Sequence, residues 1–252
     1  MPTRGRTSAA TDPGPTSTRA ERRLGQAATV AGAVATVLAL LVAPPDALQG
    51  EAQRLMYVHV PAAWAAYLAF GVVALASAAY LVRRDLRFDR AAQAAAELGV
   101  GLTALAIVLG SLWARPTWGT FWTWDPRLVS TAVLLLVYIG YLGVRGLATD
   151  PHANARRAAV LGVLAVVTVP VVHFSVVWWR ALHQPPSVLR PGGPAGAVPT
   201  VMLVTLLAGM VAFTLASAWV WRRRIRLLTP AADRSVAPAG DPEIVVSRRA
   251  GV

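Results

Sequence analysis

Two histidines and a cluster of tryptophans are the residues of this chain whose types and spacing could do chemistry. His59 lies in RLMYVHVPAAW and His183 in SVVWWRALHQP, and between them the chain reads WGTFWTWDPRL from Trp118 to Leu128. Neutral imidazole is a common metal ligand, and flat aromatic rings can form a slot for a planar, apolar ligand. Two imidazoles beside such a surface suit haem, whose iron takes axial nitrogens and whose propionates need cations.

The tryptophans also admit a structural interpretation, since this residue marks both interfaces of membrane proteins. An interfacial belt is two-sided, whereas seven of the nine tryptophans lie near His59, His183 and the segment between them. Only Trp219 and Trp221 lie elsewhere. Interfacial histidines without a ligand remain the alternative to haem ligation at this stage.

Composition limits the remaining chemistry. The chain has no cysteine, which excludes disulfides, thiolate zinc sites and iron–sulfur clusters. All 24 basic residues are arginine and the formal net charge is +12. In a soluble protein this charge would indicate nucleic acid, but in a membrane protein it first indicates anionic lipid and orientation. We therefore predict that this chain contacts a lipid bilayer and does not bind nucleic acid.

The elements that must position these residues are membrane-spanning helices. Hydrophobic residues make up 56% of the 252 residues and charged residues only 14%, so much apolar surface must face lipid. About 20 apolar residues in a helix cross a bilayer. We predict an all-α integral membrane protein with six transmembrane helices, near residues 27–42, 62–82, 91–113, 128–144, 158–179 and 199–221.

The arginines predict the orientation of these helices. Nineteen of the 24 arginines lie in the terminal tails and the even-numbered loops. The positive-inside rule then predicts both termini in the cytoplasm and the Trp-rich loop on the outer face. Composition predicts disordered cytoplasmic tails at 1–24 and 226–252, on either side of a six-helix domain at 25–225.

Three further expectations concern the end of the fifth helix, Asp125 and Glu97. If the fifth helix continues past the bilayer, Trp179 and His183 lie on one face of it, and Pro185 ends it soon after. Asp125 stands just before a helix and is expected to cap it. Glu97 lies inside the third span, so it is expected to pack between helices in a protonated or paired form.

The Trp-rich stretch resembles the WWD signature of the haem-handling proteins of cytochrome c maturation. RLMYVHVPAAW and SVVWWRALHQP resemble the two histidine segments of one branch, the haem exporter protein C family, CcmC. Six spans fit this family, and the resemblance covers roughly residues 25–225. Three motifs in the right order make it specific.

The resemblance implies that haem is bound at the outer face, with His59 and His183 as axial ligands to its iron. It would be a b-type haem, bound non-covalently and transiently. Arginines on the same side as the histidines are candidates for the haem propionates. The full set of candidate haem contacts is His59, His183, Trp118, Gly119, Trp122, Trp124, Asp125, Arg127, Trp178, Trp179 and Arg54.

The resemblance also implies partners and a location. Members of the family present haem to the haem chaperone CcmE, together with the ABC transporter subunits CcmA and CcmB and the small membrane protein CcmD. The chain would then lie in the bacterial cytoplasmic membrane. It would act as a haem transfer and export protein rather than an enzyme.

Two other functions remain as alternatives. Pro126 makes a WDP string like that of the larger haem lyases of the CcmF and CcsA type, which attach haem to apocytochrome c. The short outward loops favour the exporter over the lyase. A transporter or structural subunit without haem is the third possibility, and it predicts that replacing Trp122 or Trp124 by phenylalanine leaves cytochrome c levels unchanged.

Overall fold

The computed structural model describes residues 18–147, 149–183 and 199–230. Within these ranges the regular structure is helical. The α-helices are, in chain order, α1 Arg19–Val37, α2 Met56–Arg83, α3 Leu86–Trp118, α4 Pro126–Gly143, α5 Pro151–Ala165, α6 Thr168–Trp178 and α7 Thr200–Leu228. A π-helical turn, Leu38–Val42, continues α1, and short 3₁₀ segments, Glu51–Leu55 and Val144–Gly146, adjoin α2 and α4.

Six segments of the described chain are long and apolar enough to cross a membrane. They are Arg19–Val42, Glu51–Arg83, Leu86–Trp118, Pro126–Gly146, Pro151–Trp178 and Thr200–Leu228. The fifth of these consists of α5 and α6 together. The prediction of an all-α membrane protein with six spanning helices is therefore confirmed.

The first and last helices of the chain extend into the segments predicted as tails. The side chain of Thr18 accepts a hydrogen bond from the backbone N–H of Glu21 at 3.2 Å, which caps α1 so that this helix begins at Arg19. Near the C-terminus, α7 continues to Leu228. The rest of both predicted tails lies outside the described residues.

The fifth span does not continue as one helix to His183. Pro170 has no N–H to donate to the carbonyl of Val166, and the chain makes a turn between α5 and α6 there. α6 then ends at Trp178, and Trp179 has an extended backbone with φ −125° and ψ 158°. The prediction that Trp179 and His183 share a helix face is therefore wrong. The physical reason is a tertiary hydrogen bond that holds the next segment, described below, while Pro185 lies outside the described residues.

The core forms around α2, which packs against α3, α5 and α7, while α1 packs mainly against α7. Phe70 on α2 is fully buried and stacks on Tyr138 of α4, with ring centroids 3.7 Å apart. Gly99 on α3 makes room for this ring, because a Cβ there would lie 2.5 Å from Phe70. This close packing fixes the positions of α2, α3 and α4, which carry most of the site.

One end of the bundle, where α1 begins and α7 ends, is held by ion pairs, and we call it the basic end. Arg226 of α7 pairs with Glu21 of α1 at 2.6 Å. Arg224 pairs with Glu97 of α3, so this carboxylate joins two helices as expected. We call the opposite end, which carries His59, Asp125 and His183, the histidine end.

Candidate functional site

His59 is the fourth residue of α2, whereas the predicted span began after it. The 3₁₀ segment Glu51–Leu55 runs directly into α2, and Pro61 interrupts only one backbone hydrogen bond of a helix that has already begun. The ring Nδ1 of His59 lies 2.8 Å from the carbonyl oxygen of Ala106 on α3. A carbonyl can only accept, so Nδ1 carries the proton and Nε2 keeps its lone pair.

Asp125 is the organising residue of the Trp-rich loop. Its side chain caps α4 by accepting the backbone N–H of Arg127 at 2.8 Å. The same carboxylate accepts the backbone N–H of Leu182 and contacts Nδ1 of His183 at 3.2 Å. Asp125 is therefore a helix cap, as expected, and also the residue that holds the segment after α6 in place.

The charge state of this pair follows from its surroundings. Although burial raises the pKa of Asp125, the backbone N–H groups of Leu182 and Arg127, together with His183, hold that pKa below its usual range. Burial lowers the pKa of His183, although the carboxylate of Asp125 acts in the opposite direction. Asp125 is thus ionised and His183 neutral at neutral pH. Because an ionised carboxylate only accepts, Nδ1 of His183 donates and its Nε2 keeps a lone pair.

The two histidines line the same pair of adjoining cavities at the histidine end. The first has about 690 Å³ of empty space, part of it open to the surroundings, and the second about 550 Å³. Both are lined by His59, Gly110 and His183.

Aromatic rings form walls of these cavities. Trp113 meets His59 edge-on with ring centroids 5.9 Å apart, and Trp118 meets His183 in the same way at 4.9 Å. Trp122 lines the first cavity. Gly119 follows Trp118 with φ +77°, a left-handed conformation that favours glycine and ends α3 so that the loop can turn back.

Arg127 is one of the arginines predicted as candidates for the haem propionates, and the structure brings it to the first cavity. It lines the first cavity, and its guanidinium donates to the carbonyl of His173 at 2.9 Å and to the hydroxyl of Ser175 at 3.3 Å. These bonds hold a cation beside a largely apolar space. A carboxylate in that space would find a positioned partner.

Four of the candidate residues point elsewhere. Trp124 is 85% exposed, and Trp178 and Trp179 are each more than half exposed. Trp179 lines a separate apolar cavity against Pro126. The guanidinium of Arg54 donates to the carbonyls of Ala39 and Ala43 and to Glu51, so it holds the turn that follows α1.

Several residues of the cavity walls are absent from the sequence-based candidates. Tyr67 follows His59 by two turns of α2 and lines the first cavity, and Trp113 lines the second. On α3 the lining residues include Thr103, Ala106 and Gly110. Small side chains three and four residues apart on one helix face are a signal for close approach by a neighbouring helix, and this spacing could have identified that wall.

Gly110→Ala tests whether the position of His59 matters for ligand binding. A Cβ at residue 110 would lie 2.9 Å from Cε1 of His59, whose ring is held by Ala106. We expect the ring to be displaced and the haem affinity of the purified protein to fall at least about tenfold, while α3 persists because alanine favours helix.

The matched control is Gly101→Ala on the same helix, where a new Cβ meets nothing within 4 Å. Haem titration followed by absorption spectroscopy compares the two variants. Equal affinities in both would contradict a role for the packing of His59.

Known proteins are similar to this chain over most of its length. The family model described as heme exporter protein C matches residues 8–236. Heme exporter protein C of Bradyrhizobium diazoefficiens is 43% identical over 190 residues, which cover 73% of this chain and 72% of that protein. The protein of the same name from Haemophilus influenzae is 36% identical over 203 residues, covering 80% and 82%. A putative cytochrome c biosynthesis ccmC-like mitochondrial protein of Marchantia polymorpha is 38% identical over 160 residues, covering 64% and 68%.

Proposed function

The chain belongs to the haem exporter protein C family, and from this premise we propose that it binds haem at the histidine end and passes it to the haem chaperone CcmE. Its role is haem handling in cytochrome c maturation. The proposed axial ligands of the haem iron are His59 and His183.

The observation that carries this proposal is the state of the two imidazoles. In each ring Nδ1 is engaged, by the Ala106 carbonyl in His59 and by Asp125 in His183, and Nε2 keeps its lone pair beside a shared cavity. Histidines that ligate metals generally donate their other ring N–H to a carbonyl or a carboxylate in this way. Such bonds fix the tautomer and the ring orientation before the ligand arrives.

The other residues of the site have separate tasks. Asp125 orients His183 and makes its Nε2 a stronger donor to iron. Arg127 is positioned to bind a haem propionate. Trp113, Trp118 and Trp122 provide apolar walls that exclude water from the porphyrin ring. Haem itself supplies the iron that these ligands hold.

Non-covalent binding fits a protein that must release its cargo. The chain has no cysteine, so it cannot form a thioether bond to haem. Ligation through two neutral imidazoles is reversible, and the partly open cavity provides a way out. We therefore propose that the chain acts as a haem transfer and export protein, not as an enzyme.

The proposed orientation places the histidine end at the outer face of the bacterial cytoplasmic membrane. The excess of arginine at the basic end supports a cytoplasmic location for that end. The ABC transporter subunits CcmA and CcmB and the small membrane protein CcmD are the proposed partners in the membrane. Delivery to CcmE would then occur on the outer side.

The WDP string is the feature that relates this chain to the haem lyases. Pro126 is the first residue of α4, directly after its cap Asp125. Proline is favoured at this position because its fixed φ suits the helix and its missing N–H needs no partner there. Helix initiation thus accounts for Pro126 without lyase activity.

The test of the proposed function is transfer of haem in vitro. The protein, purified in mild detergent with haem, is mixed with soluble CcmE and separated from it again. We expect low-spin absorption bands on the membrane protein first and on the chaperone afterwards. Formation of a c-type cytochrome in a host without any other lyase would instead establish the lyase function. A colourless protein after expression with excess haem would contradict both.

A further inference from the structure

A second large cavity lies at the basic end, between the start of α1 and the end of α7. It has about 1600 Å³ of empty space, part of it open to the surroundings. The residues that give it its chemistry are Glu21, Arg22, Gln26, Trp219, Arg223 and Arg226. None of them takes part in the proposed haem site.

The charge of this cavity is positive. Three arginines face one carboxylate, and Glu21 is already paired with Arg226 at 2.6 Å. Arg22 and Arg223 are exposed side chains on two different helices, on either side of the space. The first turn of α1 adds the partial positive charge of a helix N-terminus. An anion in this cavity would therefore meet several cations at once.

The indole ring of Trp219 also lines this cavity. Gly25 lets the ring of Trp219 lie directly against α1, because a Cβ at residue 25 would lie 2.9 Å from Nε1 of the indole. The guanidinium of Arg223 lies 5.8 Å from the centroid of the same ring. Tryptophan and arginine at the end of spanning helices are typical of the boundary between lipid headgroups and acyl chains.

The apolar part continues along α1. Ala28 and Val30 line the cavity, and Val30 and Val34 are at least half exposed on the surface of this helix. A soluble anion would use the arginines and leave this surface uncovered. A lipid uses both, with its phosphate at the arginines and its acyl chains along α1.

We propose that this cavity binds the headgroup of an anionic phospholipid, with the phosphate between Arg22 and Arg223. The site is independent of haem and lies at the opposite end of the bundle. A basic pocket between transmembrane helices is a suitable place for such a headgroup. The bound lipid would join α1 to α7, the helix against which α1 mainly packs.

Native mass spectrometry of the whole protein from vesicles of phosphatidylcholine and phosphatidylglycerol tests this proposal. We expect retained phosphatidylglycerol in preference to phosphatidylcholine. The double variant Arg22→Gln/Arg223→Gln removes two cations and is expected to lower this preference about thirtyfold. Both side chains are exposed, and thermal unfolding in detergent checks that the variant keeps its fold.

The matched control is Arg83→Gln/Arg87→Gln, which removes one cation from the last turn of α2 and one from the first turn of α3, at the same end of the bundle. The control is expected to retain the preference. An equal loss in both double variants would overturn the proposal, because net charge alone would then select the lipid. Displacement of phosphatidylglycerol by inorganic phosphate would also overturn it, since the site would then bind a soluble anion.

Discussion

His183→Ala is expected to abolish the low-spin haem spectrum of the purified protein and to lower its haem affinity more than about 100-fold. The variant removes the Nε2 donor and leaves the Asp125 carboxylate without its ring partner. His59→Ala is expected to have the same effect, because His59 is the other proposed ligand of the haem iron. Absorption spectra of oxidised and reduced samples, with haem content per protein, measure the loss.

His173→Ala is the control for this experiment. The His173 ring meets Phe174 edge-on with ring centroids 4.9 Å apart, and the backbone carbonyl of His173 accepts a hydrogen bond from Arg127. That carbonyl is present in every residue, so we expect this variant to keep its haem. Full haem content in both His59→Ala and His183→Ala would show that the axial ligands are wrongly assigned.

Asp125→Ala is expected to have the second largest effect, because one carboxylate carries three hydrogen bonds. Loss of the bond to His183 lowers haem affinity about 10- to 100-fold. Loss of the cap of α4 lowers the free energy of unfolding by about 1 kcal/mol. Haem titration and thermal unfolding in detergent measure the two effects separately.

Two variants separate orientation of the ligand from capping of the helix. Asp125→Asn keeps the cap of α4 through its amide oxygen, but it loses the negative charge that faces His183, and its amide NH₂ cannot accept the N–H of Leu182. We therefore expect reduced haem affinity with a smaller loss of stability than in Asp125→Ala. Asp150→Ala removes the cap of α5, where the side chain accepts the N–H of Ala153, and is expected to change stability alone. If Asp125→Asn bound haem as tightly as the unchanged protein, the negative charge of Asp125 would have no role in haem binding.

The sequence predicts the spanning helices well, for a local reason. The length and hydropathy of each segment depend on its own residues, and a bilayer requires about 20 apolar residues whatever the neighbouring helices do. The ends of the helices are less predictable. Thr18 extends α1 toward the tail, and α3 continues through Pro116 to Trp118, because capping and packing act beyond the apolar stretch.

The residues of the candidate site were also predictable from the sequence only in part. Residue types alone identify His59, His183 and Trp122, all of which line the first cavity. Trp124 and Trp178 have equally suitable residue types but are exposed. Which way a ring points depends on the rotation of its helix or on the path of its loop, and both are set by contacts with distant residues.

The sequence by itself therefore determined the membrane fold, the absence of thiol chemistry and the pair of histidines with their aromatic surroundings. The tertiary structure decided how the two histidines are placed around a shared cavity. Asp125 bonds to Leu182 and His183, more than 50 residues away in the chain, and so ends the helical path after Trp178. Gly110 and Ala106 set the position of the His59 ring from another helix. Interactions between residues so far apart leave no periodic pattern in the sequence, whereas burial in lipid does.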